Sequence, residues 1–217
     1  MNKVTVIIPA HNEEKTVTQV IDKINESVID TEIIVVNNCS TDNTGEVAKA
    51  KNVKVVNCSK KGKGFAMQCG LKHASCDLIA FIDGDLGIYN NDIVRDMIEP
   101  IMEKNIDFTK SAFTREGGRV TELVAKPLLQ LLFPEIAKFE QPLSGIIAGK
   151  KSIFDQIEFE KDYGVDIGIL IDVIQLGGKV EEVYIGRIDN NSQSWRSLSL
   201  MAKEVAKAIL KRAGALK

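Results

Sequence analysis

A chain of 217 residues with 44% hydrophobic and 27% charged residues has the composition of an ordinary globular protein and is long enough for one large core. Its formal net charge of -2 argues against a broad nucleic-acid-binding surface, which leaves a basic imbalance. No apolar run reaches the roughly 20 residues of a membrane helix, and the start from Met1 to Ile8 is too short and strand-like for a signal peptide, so the expected location is the cytoplasm.

Strand and helix alternate from the N-terminus. Val4 to Ile8 reads as an apolar strand, and Glu14 to Ser27 carries Val17, Val20, Ile21 and Ile24 at helical spacing. Glu32 to Val36 is a second strand, followed by a helix from Thr41 to Ala50 capped by Ser40 or Thr41. Val53 to Val56, the helix Lys63 to Ala74 and the strand Leu78 to Ile82 continue the pattern. Such alternation implies right-handed crossovers and a mostly parallel α/β sheet covered on both faces. Ligands of these sheets bind beyond the carboxyl ends of the strands, which places Pro9 to Glu14, Asn37 to Thr41, Ser59 to Gly64 and Asp83 to Asp85 on one rim.

The second half is less regular. It reads as a helix from Asp92 to Lys104, a strand from Phe108 to Ala112, and a helix from Val120 to Leu132 stopped near Pro134. A short strand, Ile146 to Ala148, leads into a helix from Lys151, then a helix from Val165 to Leu176 stopped by Gly177-Gly178, and a last strand, Val180 to Ile185. Leu198 to Leu216 is a basic amphipathic helix, expected to dock on the core or on a second subunit rather than on a membrane. Cys39, Cys58, Cys69 and Cys76 are too irregularly spaced for a zinc ribbon and are expected as reduced, mostly packed thiols.

The rim loops carry the chemistry. Asp83-Gly84-Asp85 closes the apolar strand, and two carboxylates there suit a divalent metal that offsets phosphate charge, or else a solvated turn. Lys60-Lys61-Gly62-Lys63-Gly64 joins glycine to positive charge, as a diphosphate needs, without the Walker A spacing. Asn37 to Asp42 offers amides and hydroxyls that would read a base edge, or an N-capping turn. Glu14 is expected to cap the first helix. Of the two histidines, His73 reads as a surface residue, and His11 is better placed for a ligand.

Val-Ile-Ile-Pro-Ala-His-Asn-Glu-Glu, Ile-Val-Val-Asn-Asn-Cys-Ser-Thr-Asp-Asn-Thr and Phe-Ile-Asp-Gly-Asp resemble the nucleotide-binding half of a GT-A glycosyltransferase. Gly118-Arg119-Val120-Thr121-Glu122-Leu123, Gln141-Pro142-Leu143 and Tyr163-Gly164-Val165-Asp166 narrow the resemblance to the glucosyl-3-phosphoglycerate synthase family, of family 2/81 type, from about Val4 to about Met201. The resemblance implies a single GT-A domain over residues 1–217, with a nucleotide-sugar half at 1–90, an acceptor half at 91–197 and a terminal helix at 198–217. It implies a UDP-sugar donor, usually UDP-glucose, a small phosphorylated acceptor such as 3-phosphoglycerate, Mg2+ or Mn2+ and retention of the anomeric configuration; the C-terminal amphipathic helix leads to the expectation of a homodimer.

Carried over by residue, Pro9, His11, Glu13 and Ser40 would hold the uridine and Lys63 the donor. Asp83, Gly84 and Asp85 would meet ribose and diphosphate, and Tyr163, Asp166 and Met201 complete the donor set. Gly118, Arg119, Val120 and Thr121 would hold the acceptor; Asp85 and Asn190 are the implied metal ligands, and Asp83, Asp85 and Asp166 the implied catalytic residues.

Several positions depart from the family pattern. Ile188 and Asn190 stand where an Arg-x-His segment is expected, Ser192 and Gln193 where further acceptor contacts are usual, and Ile146 where an acid is usual. Asn37 and Asn38 replace an acid and a serine, and Asp166 is one methylene shorter than the family's Glu. Two other readings follow from the same residues. One is a nucleotide-sugar-binding protein without turnover, or a transferase for a different small anionic acceptor. The other, a phosphatase of the haloacid dehalogenase type, needs Thr or Val after the second Asp, where this chain has Leu86.

Overall fold

The structure, a computed structural model, describes residues 3–85, 92–115, 117–188 and 194–216. Asn190, Ser192 and Gln193 therefore lie outside the described residues. Among the described residues seven strands form one sheet: β1 (Val4–Ala10), β2 (Thr31–Asn38), β3 (Lys54–Cys58), β4 (Leu78–Phe81), β5 (Phe108–Thr114), β6 (Ile147–Lys150) and β7 (Val180–Arg187). Their order is β3-β2-β1-β4-β6-β5-β7. All neighbouring pairs are parallel except those of β6, which runs antiparallel to β4 and β5. The helices are α1 (Val17–Asn25), α2 (Thr44–Lys49), α3 (Lys63–His73), α4 (Ile93–Glu103), α5 (Lys126–Leu132), α6 (Lys151–Phe154), α7 (Val165–Gln175) and α8 (Trp195–Arg212).

The continuous apolar runs of the parallel strands are explained by helices on both faces. Ile7, Ile34, Val36, Phe81 and Phe108 pack with Met67 of α3, Ile167, Leu170 and Ile171 of α7 and Val205 and Ile209 of α8. On the opposite face Val4, Val6, Ile8, Ile33 and Val35 pack with Val20 and Ile24 of α1 and Met97 and Ile98 of α4. The alternation of residues along β1 sends successive side chains to the two cores. The terminal helix docks on the first of these cores through Val205, Ala208 and Ile209, as its apolar stripe predicts.

Two boundaries move for a shared reason. α1 starts at Val17 rather than Glu14, and α2 at Thr44 rather than Thr41. The segments before them are tied to each other instead: Thr41 N donates to Asn12 Oδ1 at 2.8 Å, and Glu14 N donates to Asp42 Oδ2 at 3.2 Å. Glu14 does not cap its own helix. Its carboxylate accepts from Asn43 N at 3.0 Å, at the mouth of α2.

A third difference lies in the expected helix from Val120 to Leu132. Thr121–Ala125 is a π-helical turn, in which Lys126 N reaches back to Thr121 O, and α5 follows. Pro127 supplies no N–H to the preceding turn, which loosens the ladder there. Among the smaller shifts, β6 begins at Ile147 and α8 at Trp195.

Candidate active site

The strand order turns back at β1, with β2 and β3 on one side and β4 on the other, and a crevice opens there at the carboxyl ends. Ile82 N donates to Ile7 O at 3.1 Å, so the exits of β1 and β4 run side by side. A Cβ on Gly84 would lie 3.3 Å from Pro9 O, close enough that a side chain there would press on the neighbouring strand. Because β6 is antiparallel, its amino end reaches the same rim, and its pairing of Phe81 with Ile147 carries Gly145 up to Asp83. A Cβ on Gly145 would overlap the Asp83 carboxylate and the Lys63 ammonium.

A cavity of about 1000 Å³ occupies this rim. It gathers Pro9, His11, Glu13, Lys63, Asp83, Gly84 and Asp85 from the first half of the chain, as expected. From the second half it gathers Gly118, Arg119, Val120, Thr121, Tyr163, Asp166 and Met201. Ser40 is not among the lining residues; its hydroxyl accepts from Asn12 N at 3.1 Å. Ile146 and Ile188 reach the cavity but are buried in the α4-side core, so both replacements of polar family positions serve packing.

At the centre Lys63 Nζ stands 2.8 Å from Asp83 Oδ1 and 2.8 Å from Asp166 Oδ2. Burial works against the charge on Lys63, yet Asp166 and Asp83 outweigh it and hold the ammonium's pKa above its ordinary value. Burial raises the Asp166 pKa in turn, with Lys63 opposing. Asp166 Oδ2 is satisfied by Lys63, while the buried Asp166 Oδ1 has no partner among the described residues. Behind it Lys110, 0% exposed, donates to Asp166 O at 3.0 Å. Burial pushes its pKa down to about 8.

Asp85 faces the cavity and keeps solvent access through it. Crowding by protein, then the charge of Asp83, raises its pKa. Lys63 is shared by Asp83 and Asp166, and among the described residues Asp85 has no ion-pair partner, with Lys63 acting on it only from a distance. Among the described residues no group of three or more His, Cys, Asp or Glu side chains is arranged to hold a metal ion. Asp83 and Asp85 supply oxygen donors of the type that Mg2+ or Mn2+ accepts.

The loop from Lys60 to Gly62 is held by Asn38, which the sequence marked only as an amide. Its Nδ2 donates to Lys60 O at 2.7 Å and its Oδ1 accepts from Gly62 N at 2.8 Å, so one side chain folds the Lys60 to Gly62 turn. Gly62 has φ 141, a region other residues avoid. His11 Nδ1 lies 2.8 Å from Asn38 O, which fixes the imidazole against the same loop. Burial raises the Glu13 pKa.

Lys110, Gly145 and Arg115 are site residues absent from the sequence expectations. Lys110 carried a signal, a charge within the run Phe108-Thr109-Lys110-Ser111-Ala112-Phe113 that reads as buried strand. Gly145 and Arg115 carried none, because their value depends on what the sheet and the turn at Gly117 bring beside them. The thiols are unpaired as expected: Cys58 is buried, Cys69 and Cys76 are half-buried and Cys39 is exposed. His73 is a surface residue. No helix among the described residues is long and apolar enough to cross a membrane.

The sequence matches the pattern of Glycosyl transferase family 2 over residues 5–160. It is 34% identical to a glucosyl-3-phosphoglycerate synthase of Mycobacterium tuberculosis, over 97% of this chain and 74% of that protein. The corresponding figures for a glucosyl-3-phosphoglycerate synthase of Petrotoga mobilis are 32%, 97% and 73%. The fold superposes with a TM-score of 0.94 on a crystal structure of the Mycobacterium tuberculosis synthase in complex with Mn2+, UDP-glucose and phosphoglyceric acid, covering all of this chain and 81% of that one at 34% identity.

Proposed function

We propose, for a hexosyltransferase that belongs to glycosyl transferase family 2 and within it to the glucosyl-3-phosphoglycerate synthases, that it moves glucose from UDP-glucose to a small phosphorylated acid such as 3-phosphoglycerate. The observation that carries this reading is the unpartnered Asp166 Oδ1, buried on the wall of the cavity that holds Asp83 and Asp85 at one end and Gly118 and Arg119 at the other. A buried acceptor without a donor costs free energy that a sugar hydroxyl donating to it would recover.

In this reading Pro9, His11 and Glu13 hold the uridine, Lys63 and Tyr163 flank the donor sugar, and Met201 closes over it. Ser40 is left out of this set because Asn12 N already uses its hydroxyl. Asp85, with Asp83 beside it, holds Mg2+ or Mn2+, as relatives crystallised with Mn2+ or Mg2+ and UDP suggest. Asn190 is the proposed further ligand. The bound ion would neutralise the diphosphate as it leaves.

Arg119 and the backbone amides around Gly118 hold the acceptor's anionic group, with Thr121 beside them. The bond from the anomeric carbon to the β-phosphate oxygen breaks, and a bond to the acceptor hydroxyl oxygen forms on the same face. The hydroxyl proton passes to the departing phosphate oxygen, so retention needs no enzyme nucleophile. Asp166 is poorly suited to that part, since Lys63 holds one of its oxygens. Positioning and electrostatics then supply the catalysis. The same reading includes a cytoplasmic homodimer, for which light scattering after size-exclusion chromatography is the test.

The deciding experiment incubates the protein with UDP-glucose, Mg2+ or Mn2+ and 3-phosphoglycerate and follows UDP release with and without acceptor. Acceptor-dependent release is expected. Donor binding by calorimetry with no release across a panel of small anionic acceptors would overturn the reading in favour of a nucleotide-sugar-binding protein.

A further inference from the structure

The acceptor end of the cavity holds two guanidinium groups, and neither has an acidic partner among the described residues. Arg119 lies over the Trp195 ring at 4.9 Å. Arg115 lies over the Phe113 ring at 5.4 Å, and its Nη2 donates to Thr121 Oγ1 at 2.9 Å. Its buried Nε–H has no acceptor among the described residues. The nearby acid, Glu122, is bonded to Lys126 at 2.7 Å instead.

The turn between the two arginines is shaped to admit Arg115. Gly117 and Gly118 have φ 106 and 81, and a Cβ on Gly118 would come within 3.3 Å of Arg115 Nε. A guanidinium cannot shed its charge in a protein, so a half-buried one whose only hydrogen-bond partner among the described residues is a neutral hydroxyl is suited to receive an anion. The Phe113 ring and the bond to Thr121 hold the group in place, and its Nε–H remains to be satisfied by an oxyanion.

The geometry points to Arg115 as a second acceptor-binding cation, acting with Arg119 so that the site selects an acceptor with two anionic groups. This rests on the transferase reading above.

The test compares wild type, Arg115→Gln and Arg115→Lys with 3-phosphoglycerate, glycerol 3-phosphate, which lacks the carboxylate, and glycerate, which lacks the phosphate. Arg115→Gln should raise the KM for 3-phosphoglycerate about ten- to hundredfold, the loss of one charge-assisted hydrogen bond, with the donor KM unchanged within about twofold. The penalty should fall below about threefold for the truncated acceptor that lacks the group Arg115 holds, and Arg115→Lys should recover part of the affinity. An equal penalty for all three acceptors, or no penalty, overturns the assignment.

If Arg115→Gln does not fold, Arg115→Lys gives the same discrimination, since it keeps the charge and loses the planar fork. If wild type shows no acceptor-dependent UDP release, the transferase reading fails and inorganic phosphate decides the arginine. Calorimetric phosphate binding weakened about tenfold or more in Arg115→Gln supports it, and equal binding overturns it.

Discussion

Lys63 Nζ lies 2.8 Å from Asp166 Oδ2 although 103 positions separate the two residues in the chain. The contact joins the first turn of α3 to the first turn of α7 across the cavity. It also leaves one oxygen of Asp166 committed and the other unpartnered. The predictions below start from this link.

Replacing Lys63 by Met strands two carboxylates beside each other. Breaking a buried pair by removing one partner costs about 3–5 kcal/mol, and the lower figure is expected here because Asp83 and Lys63 reach the cavity's water. Urea unfolding at pH 7 should show the loss, with a smaller one when Asp166→Asn is combined with Lys63→Met. A double variant no more stable than Lys63→Met alone would show that the carboxylates do not depend on this ammonium.

Asp85→Ala should remove metal-dependent binding of UDP-glucose with little change in melting temperature, since the carboxylate faces the cavity without an ion-pair partner among the described residues. Calorimetric titration of donor with and without Mn2+ makes the measurement. Metal-dependent affinity that survives the substitution would move the ligand role elsewhere.

Gly145→Ala should disturb chemistry more than folding. The added Cβ would meet the ends of Asp83 and Lys63, which can shift, at an overpacking cost of about 1–3 kcal/mol. A fall in kcat of tenfold or more is expected while the melting temperature drops by a few degrees. An unchanged kcat would mean that the Asp83 and Lys63 geometry is not critical.

Lys110 makes stability depend on alkaline pH. Its pKa falls from 10.5 to about 8 on folding, so between those values the unfolded chain binds more protons than the native one, and this group's contribution rises with pH. Below pH 8 both states are protonated and the cost of burying the charge is fully present. Lys63 has the opposite shift, above 10.5, and its contribution stays constant until pH exceeds that value. Lys110→Met should therefore gain stability relative to wild type at pH 7 and lose most of that advantage by pH 10, a difference of roughly 3 kcal/mol. Unfolding midpoints of the two proteins at both pH values check this, and a pH-independent difference would contradict it.

Much of the rim was legible because its signals are local. Asp83-Gly84-Asp85 follows an apolar run, Lys63 follows Gly62, and alternating strands and helices put those loops at one edge. The capping expectation for Glu14 failed because the carboxylate found Asn43, 29 positions away, a choice that local propensity does not contain. The helix from Val120 was read as uninterrupted because apolar spacing does not register the N–H that Pro127 lacks. Arg115 stayed hidden for a related reason. An arginine near a glycine pair reads as a surface turn until Phe113, Thr121 and Gly118 are seen around it.

By itself the sequence determined the alternating α/β framework, the rim where ligands meet it and the acidic pair at the end of β4, since each follows from periodicity or from neighbours in the chain. Tertiary structure alone decided that β6 runs antiparallel, and with it that Gly145 has no room for a side chain beside Asp83. It also decided that Lys110 is buried under Asp166, and that Lys63 sits between two carboxylates from distant parts of the chain. These are properties of burial and of long-range pairing, whose energies depend on distance in space and are invisible to spacing along the chain.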